Sequence, residues 1–209
     1  MNNIIACGVP RSGSTLIWQI LLRALPGKEV VKAHPASWTP IPCQFIVGSI
    51  RHPYDNAASC YRSRIVGDNG DGSQETVRGT KKGLIAELRM LTNNYRVLKE
   101  LMLTGKVAVL RYEDFYNNFD IVFDMIQRRL GIIVPDKRRE EIEEDCSFEK
   151  NQQRSFSGTR KDYKRNKINN SHVGNGVPGT WKAIIPLWGY DVMKKWCDPL
   201  CEEWDYESQ

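Results

Sequence analysis

No apolar run in this chain approaches the roughly 20 residues that a bilayer-spanning helix needs, so a membrane span is not expected. The first apolar segment, Asn3 to Cys7, begins almost at Met1 and leaves no room for a signal peptide. Cysteine is thin: six thiols are scattered along the chain, which is not the pattern of a disulfide-built secreted scaffold. Cys197 and Cys201 have helical spacing but no second ligand pair, so packing beside Trp196 and Trp204 is the expected role rather than zinc. No Pro/Gly/Ser-rich linker and no internal repeat divides the 209 residues, so one domain over 1–209 is expected. The net charge of +5 suits anionic ligands, but no stretch interleaves aromatic and basic residues, and Glu202, Glu203, Asp205 and Glu207 would repel a phosphate backbone. Nucleic acid is therefore not an expected partner, and the sequence reads as a soluble, cytoplasmic protein.

One further absence is more telling. Gly8-Val9-Pro10-Arg11-Ser12-Gly13-Ser14-Thr15 has the frame of a phosphate-binding P-loop, G-x-x-x-x-G-K-[ST], but Ser14 stands where a nucleoside triphosphatase needs lysine. The glycine-framed turn still offers backbone N–H groups to an anion, and Arg11 adds a permanent cation. Its context fits: Asn3 to Cys7 reads as a strand, and Leu16 to Leu22 begins a helical apolar stretch that ends near Pro26-Gly27.

Three more strand ends carry polar residues. Val30 to Ala33 delivers Lys32 and His34, two residues apart and so on one face of an extended strand. Histidine can take a proton from a hydroxyl and lysine can stabilise developing negative charge; a surface histidine before Pro35 is the plainer alternative. Phe45 to Ile50 reads as a buried strand delivering Arg51, followed by a helix from Pro53 on which Ser59 lies two turns in. Val107 to Arg111 ends at Tyr112-Glu113-Asp114, whose carboxylates fit capping and structural pairing better than a shared proton, because adjacent strand residues face opposite ways. Strands near 3–7, 29–33, 44–50 and 106–110 alternate with helices, notably Leu84 to Leu103 and about Asn118 to Leu130, and a short charged helix follows Pro135-Asp136. The expected fold is α/β: a three-layer sandwich with a central, mostly parallel sheet and a P-loop-like phosphate-binding loop.

On these residues the chain resembles sulfotransferases that use 3′-phosphoadenosine 5′-phosphosulfate (PAPS). The family's P-[KR]-[ST]-G-[ST]-T loop matches Pro10 to Thr15, and its R-x-P-x-D-x-x-x-S motif matches Arg51, Pro53, Asp55 and Ser59. Its K-x-H strand matches Lys32 and His34, its Y-E-D strand end matches Tyr112 to Asp114, and its G-x-x-G-x-W-K segment matches Gly176, Gly179, Trp181 and Lys182. The resemblance implies that Arg11, Ser12, Gly13, Ser14 and Thr15 hold the 5′-phosphosulfate. Arg51 and Ser59 would bind the 3′-phosphate, with Tyr112 and Gly176 also on the donor side. His34 would be the general base, Lys32 and Arg11 would steady the sulfuryl group and leaving oxygen, and no metal would be needed. The product would be 3′-phosphoadenosine 5′-phosphate (PAP).

The chain also departs from the family. Gly174-Asn175-Gly176 stands where cytosolic members carry R-K-G. The basic stretch Arg160 to Lys167 is either a replacement for those cations or part of a mobile loop over about 150–176, the reading its polarity favours. Leu16 occupies the place of the family's adenine-packing aromatic, and Trp18 follows two residues later. Trp38, Tyr61 and Trp188 are candidates for an aromatic acceptor pocket or for core. A small alcohol, a saccharide or a protein tyrosine all remain open as acceptor, and no dimerisation motif is visible. A kinase-like phosphotransferase, disfavoured by Ser14, and a nonenzymatic nucleotide binder are the alternatives.

Overall fold

The computed structural model describes residues 3–37, 42–66, 80–157, 166–168 and 176–208. Four strands, β1 (Asn3–Cys7), β2 (Glu29–Ala33), β3 (Phe45–Ile50) and β4 (Val107–Arg111), form a wholly parallel sheet in the order β2-β1-β3-β4. Ile5 lies beside Val31 on one side and Ile46 on the other, and Gly48 pairs with Val109. Every residue of β3 is buried, as a parallel strand covered on both faces requires. The side-chain period of two splits the sheet between two cores. Ile5, Cys7, Ile46 and Ile50 enter one, while Ile4, Ala6, Phe45 and Val47 enter the other.

The first core is closed by α2 (Pro53–Val66), α3 (Lys81–Met102) and, near the C-terminus, α8 (Tyr190–Glu203); the second by α1 (Ser14–Ala24), α5 (Asp120–Leu130) and α6 (Asp136–Cys146). Two shorter helices, α4 (Tyr112–Phe115) and α7 (Phe148–Ser157), border the strand ends. This is the expected three-layer arrangement. On α3, Leu84, Leu88, Leu91, Tyr95 and Leu98 are fully buried at helical spacing, each worth about 1.5–3 kcal/mol of transfer free energy. That helix begins three residues earlier than the apolar stripe indicates because the Thr80 hydroxyl caps it, accepting from the Gly83 N–H at 3.1 Å.

The main correction lies in the stretch expected to be mobile: Gln152 to Ser157 is helical within α7. Its anchors are polar, which is why apolar patterning misses them. Asn151 donates to the Gln19 side chain at 3.1 Å and to the Cys146 carbonyl at 2.9 Å, and Arg154 pairs with Asp145 at 2.5 Å, as Arg23 does at 2.6 Å. Residues 160–165, 174 and 175 lie outside the described residues. Cys197 and Cys201 are free thiols buried in the first core, with Trp196 and Trp204 packed against it, and burial pushes the Cys201 thiol up to about 12.

Candidate active site

All four parallel strands deliver their carboxyl ends to one edge of the sheet. The chain moves from β1 to β2 on one side and then to β3 on the other, so the crevice lies where the strand order reverses. The loop after β1 is built around close contacts. A Cβ on Gly8 would lie 1.9 Å from Ser49 Oγ, and one on Gly13, whose φ is +83°, would lie 2.6 Å from the Tyr112 ring. Arg11 itself takes a left-handed φ of 66°. Gly13 precedes α1 with no side-chain cap and no acid in the first turn, so the orphan amides and positive dipole end face the crevice.

Ser12 does not fill the role expected of it. Its side chain is fully buried behind the loop, where its hydroxyl lies 2.6 Å from the Val9 carbonyl, 2.8 Å from the Ser49 carbonyl and 2.7 Å from Ser49 Oγ. Its N–H donates to the Val9 carbonyl at 3.1 Å. Ser12 braces the loop from within.

The other expected residues converge. A cleft of about 300 Å³ is lined by Arg11, Gly13, Ser14, Thr15, Lys32, His34, Arg51, Ser59, Tyr112 and Gly176. Strand β2 brings Lys32 and His34 to it on one face, as their spacing predicts. His34 Nδ1 lies 2.8 Å from the Gly8 carbonyl, an acceptor, so the ring proton sits on Nδ1 and the Nε2 lone pair is left available. Burial pushes His34 below the ordinary histidine value; the Gly8 hydrogen bond opposes that shift and the Lys32 charge reinforces it. Lys32 is lowered from 10.5 to about 8, first by burial, then by the nearby charges of Arg11 and Lys167. The cleft is thus crowded with positive charge.

At the β3 and β4 ends, a clamp surrounds Arg51. Its guanidinium lies 4.6 Å from the centre of the Tyr112 ring and donates to the Val177 carbonyl at 3.3 Å, while Nε is buried with no partner among the described residues. Tyr112 donates its hydroxyl to the Gly176 carbonyl at 2.9 Å. Asp55 on α2 accepts from the N–H of Gly179 and, at 3.0 Å, from that of Trp181. These bonds explain why Asp55 accompanies Arg51 in the sequence: it fastens the 176–181 segment beside the arginine. Glu113 has the structural role that its position suggested, accepting from the His52 N–H at 2.8 Å and the Tyr206 hydroxyl at 3.1 Å, and Asp114 is exposed.

The cleft contains residues the motif reading missed. Arg62 follows Asp55 and Ser59 at i, i+4, i+7 on α2, a spacing that could have marked it as sharing their face. Phe148 opens α7 and lines the cleft, its ring 2.8 Å from where a Gly176 Cβ would stand. Leu16 also lines the cleft, but Trp18 does not: its indole donates to the Val30 carbonyl at 3.0 Å inside the second core. Tyr61 belongs to the first core and touches Trp188 edge to face; neither lines the cleft, and Trp38 lies outside the described residues. Among the described residues, no group of three or more His, Cys, Asp or Glu could hold a metal ion.

No protein-family model and no curated protein matches the sequence. Solved structures do resemble it. Mouse sulfotransferase SULT7A1 complexed with PAP aligns at TM-score 0.63 and 16% identity over 93% of this chain and 83% of that one. Retinol dehydratase in complex with androsterone and inactive cofactor PAP aligns at TM-score 0.65 and 17% identity over 100% and 82%. Retinol dehydratase with retinol and PAP aligns at 0.65 and 18% over 100% and 83%. The chain has the fold of these PAP-bound proteins.

Proposed function

We propose that the protein is a sulfotransferase that moves a sulfuryl group from PAPS to a hydroxyl or amine acceptor. The observation that carries this reading is Arg51: a guanidinium held in a clamp of Tyr112, Val177 and Asp55-fastened backbone, with a buried Nε that has no protein partner among the described residues. A buried donor without an acceptor costs about 1–3 kcal/mol, and a phosphate placed there would remove that cost with charge-assisted hydrogen bonds. The β1 loop and the α1 N-terminus, where a triphosphate-binding lysine is missing, suit a second anion. Two anion positions on one cleft suit a nucleotide phosphorylated at both its 3′ and 5′ sides, and Phe148, Leu16 and Ile168 offer an apolar wall for its base.

When bound, PAPS supplies an activated anhydride whose sulfur–oxygen bond is the one to break. His34 Nε2 takes the proton from the acceptor hydroxyl as the acceptor oxygen attacks sulfur. The electrons of the breaking bond pass to the 5′-phosphate oxygen, where Arg11, Lys32 and the loop amides face the growing charge, and PAP is left. Ser12 serves indirectly, by holding the loop. Thermal unfolding with PAP, 5′-AMP, and ATP plus Mg²⁺ tests the reading. Selective stabilisation by PAP is expected; stabilisation by ATP and Mg²⁺ alone would replace it with a phosphotransferase.

A further inference from the structure

The pairing of β3 with β4 ends at Ile50 beside Arg111, so the next peptide group, made of the Arg51 carbonyl and the His52 N–H, has no strand partner. Backbone polar groups drawn out of water need partners, and here both find side chains. The fully buried Tyr95 of α3 donates its hydroxyl to the Arg51 carbonyl, and Glu113 of α4 accepts from the His52 N–H at 2.8 Å. The second oxygen of Glu113 accepts from the Tyr206 hydroxyl at 3.1 Å. Tyr206 lies in the segment after α8, which is itself tied to the strand ends. Arg111 donates to the Trp204 and Asp205 carbonyls at 3.0 Å and stacks 4.7 Å from the centre of the Tyr206 ring, while His52 Nε2 lies 2.9 Å from the Glu207 carbonyl. The peptide group from which the Arg51 side chain springs is thus gripped by α3 on one side and by α4, backed by the C-terminal segment, on the other.

We propose, resting on the sulfotransferase reading, that Glu113 is a positioning residue for the donor's 3′-phosphate: braced by Tyr206, it fixes the root of Arg51 and so the place of the guanidinium. Tyr112, its neighbour in α4, acts at the other end of the same side chain, where the guanidinium lies 4.6 Å from the ring centre. Adjacent residues of one short helix therefore set both the root and the tip of Arg51. Both are needed, because a charge-assisted pair with a phosphate is directional, and a guanidinium displaced by about 1 Å loses much of it. Glu113 itself does not line the cleft, and both its oxygens are committed, one to His52 and one to Tyr206. Its effect on the donor therefore passes through Arg51. The same reasoning makes Tyr206, in a segment that no motif marks, a second contributor at one remove: its hydroxyl holds the carboxylate that holds the peptide.

Isothermal titration calorimetry with PAP and with 5′-AMP, on the parent and on variants at 113 and 206, tests this. Glu113→Ala should weaken PAP about tenfold and leave 5′-AMP unchanged, because only PAP carries a phosphate for Arg51. Glu113→Gln should keep the parent's affinity for PAP: its carbonyl oxygen still accepts from His52 and its amide can donate to the Tyr206 oxygen. Tyr206→Phe, which leaves the His52 bond in place, should weaken PAP about threefold. In an Arg51→Met background, Glu113→Ala should weaken PAP no further, since the side chain it positions is gone. PAP affinity untouched by Glu113→Ala, equal losses for PAP and 5′-AMP, or an undiminished loss in the Arg51→Met background overturns the proposal. Should Glu113→Ala fail to fold, Tyr206→Phe with and without Arg51→Met carries the same comparison. Failure of the unmodified protein to bind PAP would instead remove the sulfotransferase reading, and this proposal with it.

Discussion

Replacing Arg51 by methionine separates the cost of the unliganded site from its value to a ligand. In the free protein the exchange discards a buried unpartnered Nε, worth about 1–3 kcal/mol of penalty, and with it the bond to Val177 and the cation–π contact with Tyr112, worth together about the same in the other direction. Methionine keeps an apolar stem over the Tyr112 ring, and the Asp55 bonds to Gly179 and Trp181 stay in place, so the free protein should melt within a few degrees of the parent. The liganded protein should differ sharply. Loss of charge-assisted bonds to a buried phosphate costs about 3 kcal/mol, or roughly 150-fold in affinity. At a PAP concentration 100 times the parent's Kd, the parent gains about 2.7 kcal/mol, a rise of about 5–10 °C for a chain this long. At that same concentration the variant would sit near its own Kd, gain about 0.3 kcal/mol and rise by about 1 °C. Differential scanning fluorimetry with PAP and with 5′-AMP, each titrated against both proteins, reads this directly. The 5′-AMP shift should survive, because that ligand has no group for residue 51. Equal losses for both nucleotides, or a PAP shift that survives, would refute the assignment of Arg51 to the 3′-phosphate.

His34→Ala should abolish sulfuryl transfer and keep the PAP shift. In the parent, the acidic limb of kcat/KM should lie below the ordinary histidine value of 6.5, because burial favours the neutral ring; a limb above it would contradict that environment. Lys32, at about 8 in the fold against 10.5 in the unfolded chain, binds fewer protons folded than unfolded in that window, so its contribution to stability should rise with pH between those values. A phosphate beside it restores its charge, so calorimetry near pH 9 in two buffers of different ionisation enthalpy should show proton uptake on PAP binding; Lys32→Met should remove it. At position 11 the backbone and the charge separate. Arg11→Gly suits the left-handed φ of 66° and Arg11→Ala does not, so the free glycine variant should be the more stable by about 1 kcal/mol, or about 2–4 °C, while both weaken PAP binding alike. Equal melting temperatures would mean that the loop relaxes out of that conformation.

The sheet and most helices are legible from local signals because their causes are local. β-branched and apolar runs end at Gly8, His34, Arg51 and Tyr112, and Leu84 to Leu98 repeats with helical spacing. The site inherits that legibility: in a parallel sheet every strand's carboxyl end meets at one edge, so placing residues at strand ends places them together. Where the reading went astray, the deciding partner is distant in sequence. Ser12 turns inward because Ser49 is waiting 37 residues later, and Trp18 turns from the cleft because the Val30 carbonyl takes its N–H. α7 is ordered by Asn151 and Arg154 reaching back to Gln19 and Asp145, polar links that carry no periodicity.

The chemistry shows the same division more sharply. Two residues apart on a strand, Lys32 and His34 had to share a face, and they do. Which of them can accept a proton is decided elsewhere. The Gly8 carbonyl, from a different strand end, fixes the His34 proton on Nδ1 and so exposes Nε2; without that acceptor the tautomer would be unspecified. Burial is the first cause that depresses Lys32, and the charges of Arg11 and Lys167, far apart in sequence, add to it; neither charge would do so if the loop after β1 or the 166–168 segment packed differently. A sequence thus names the charged groups of this cleft, while their protonation is decided only when four strand ends meet.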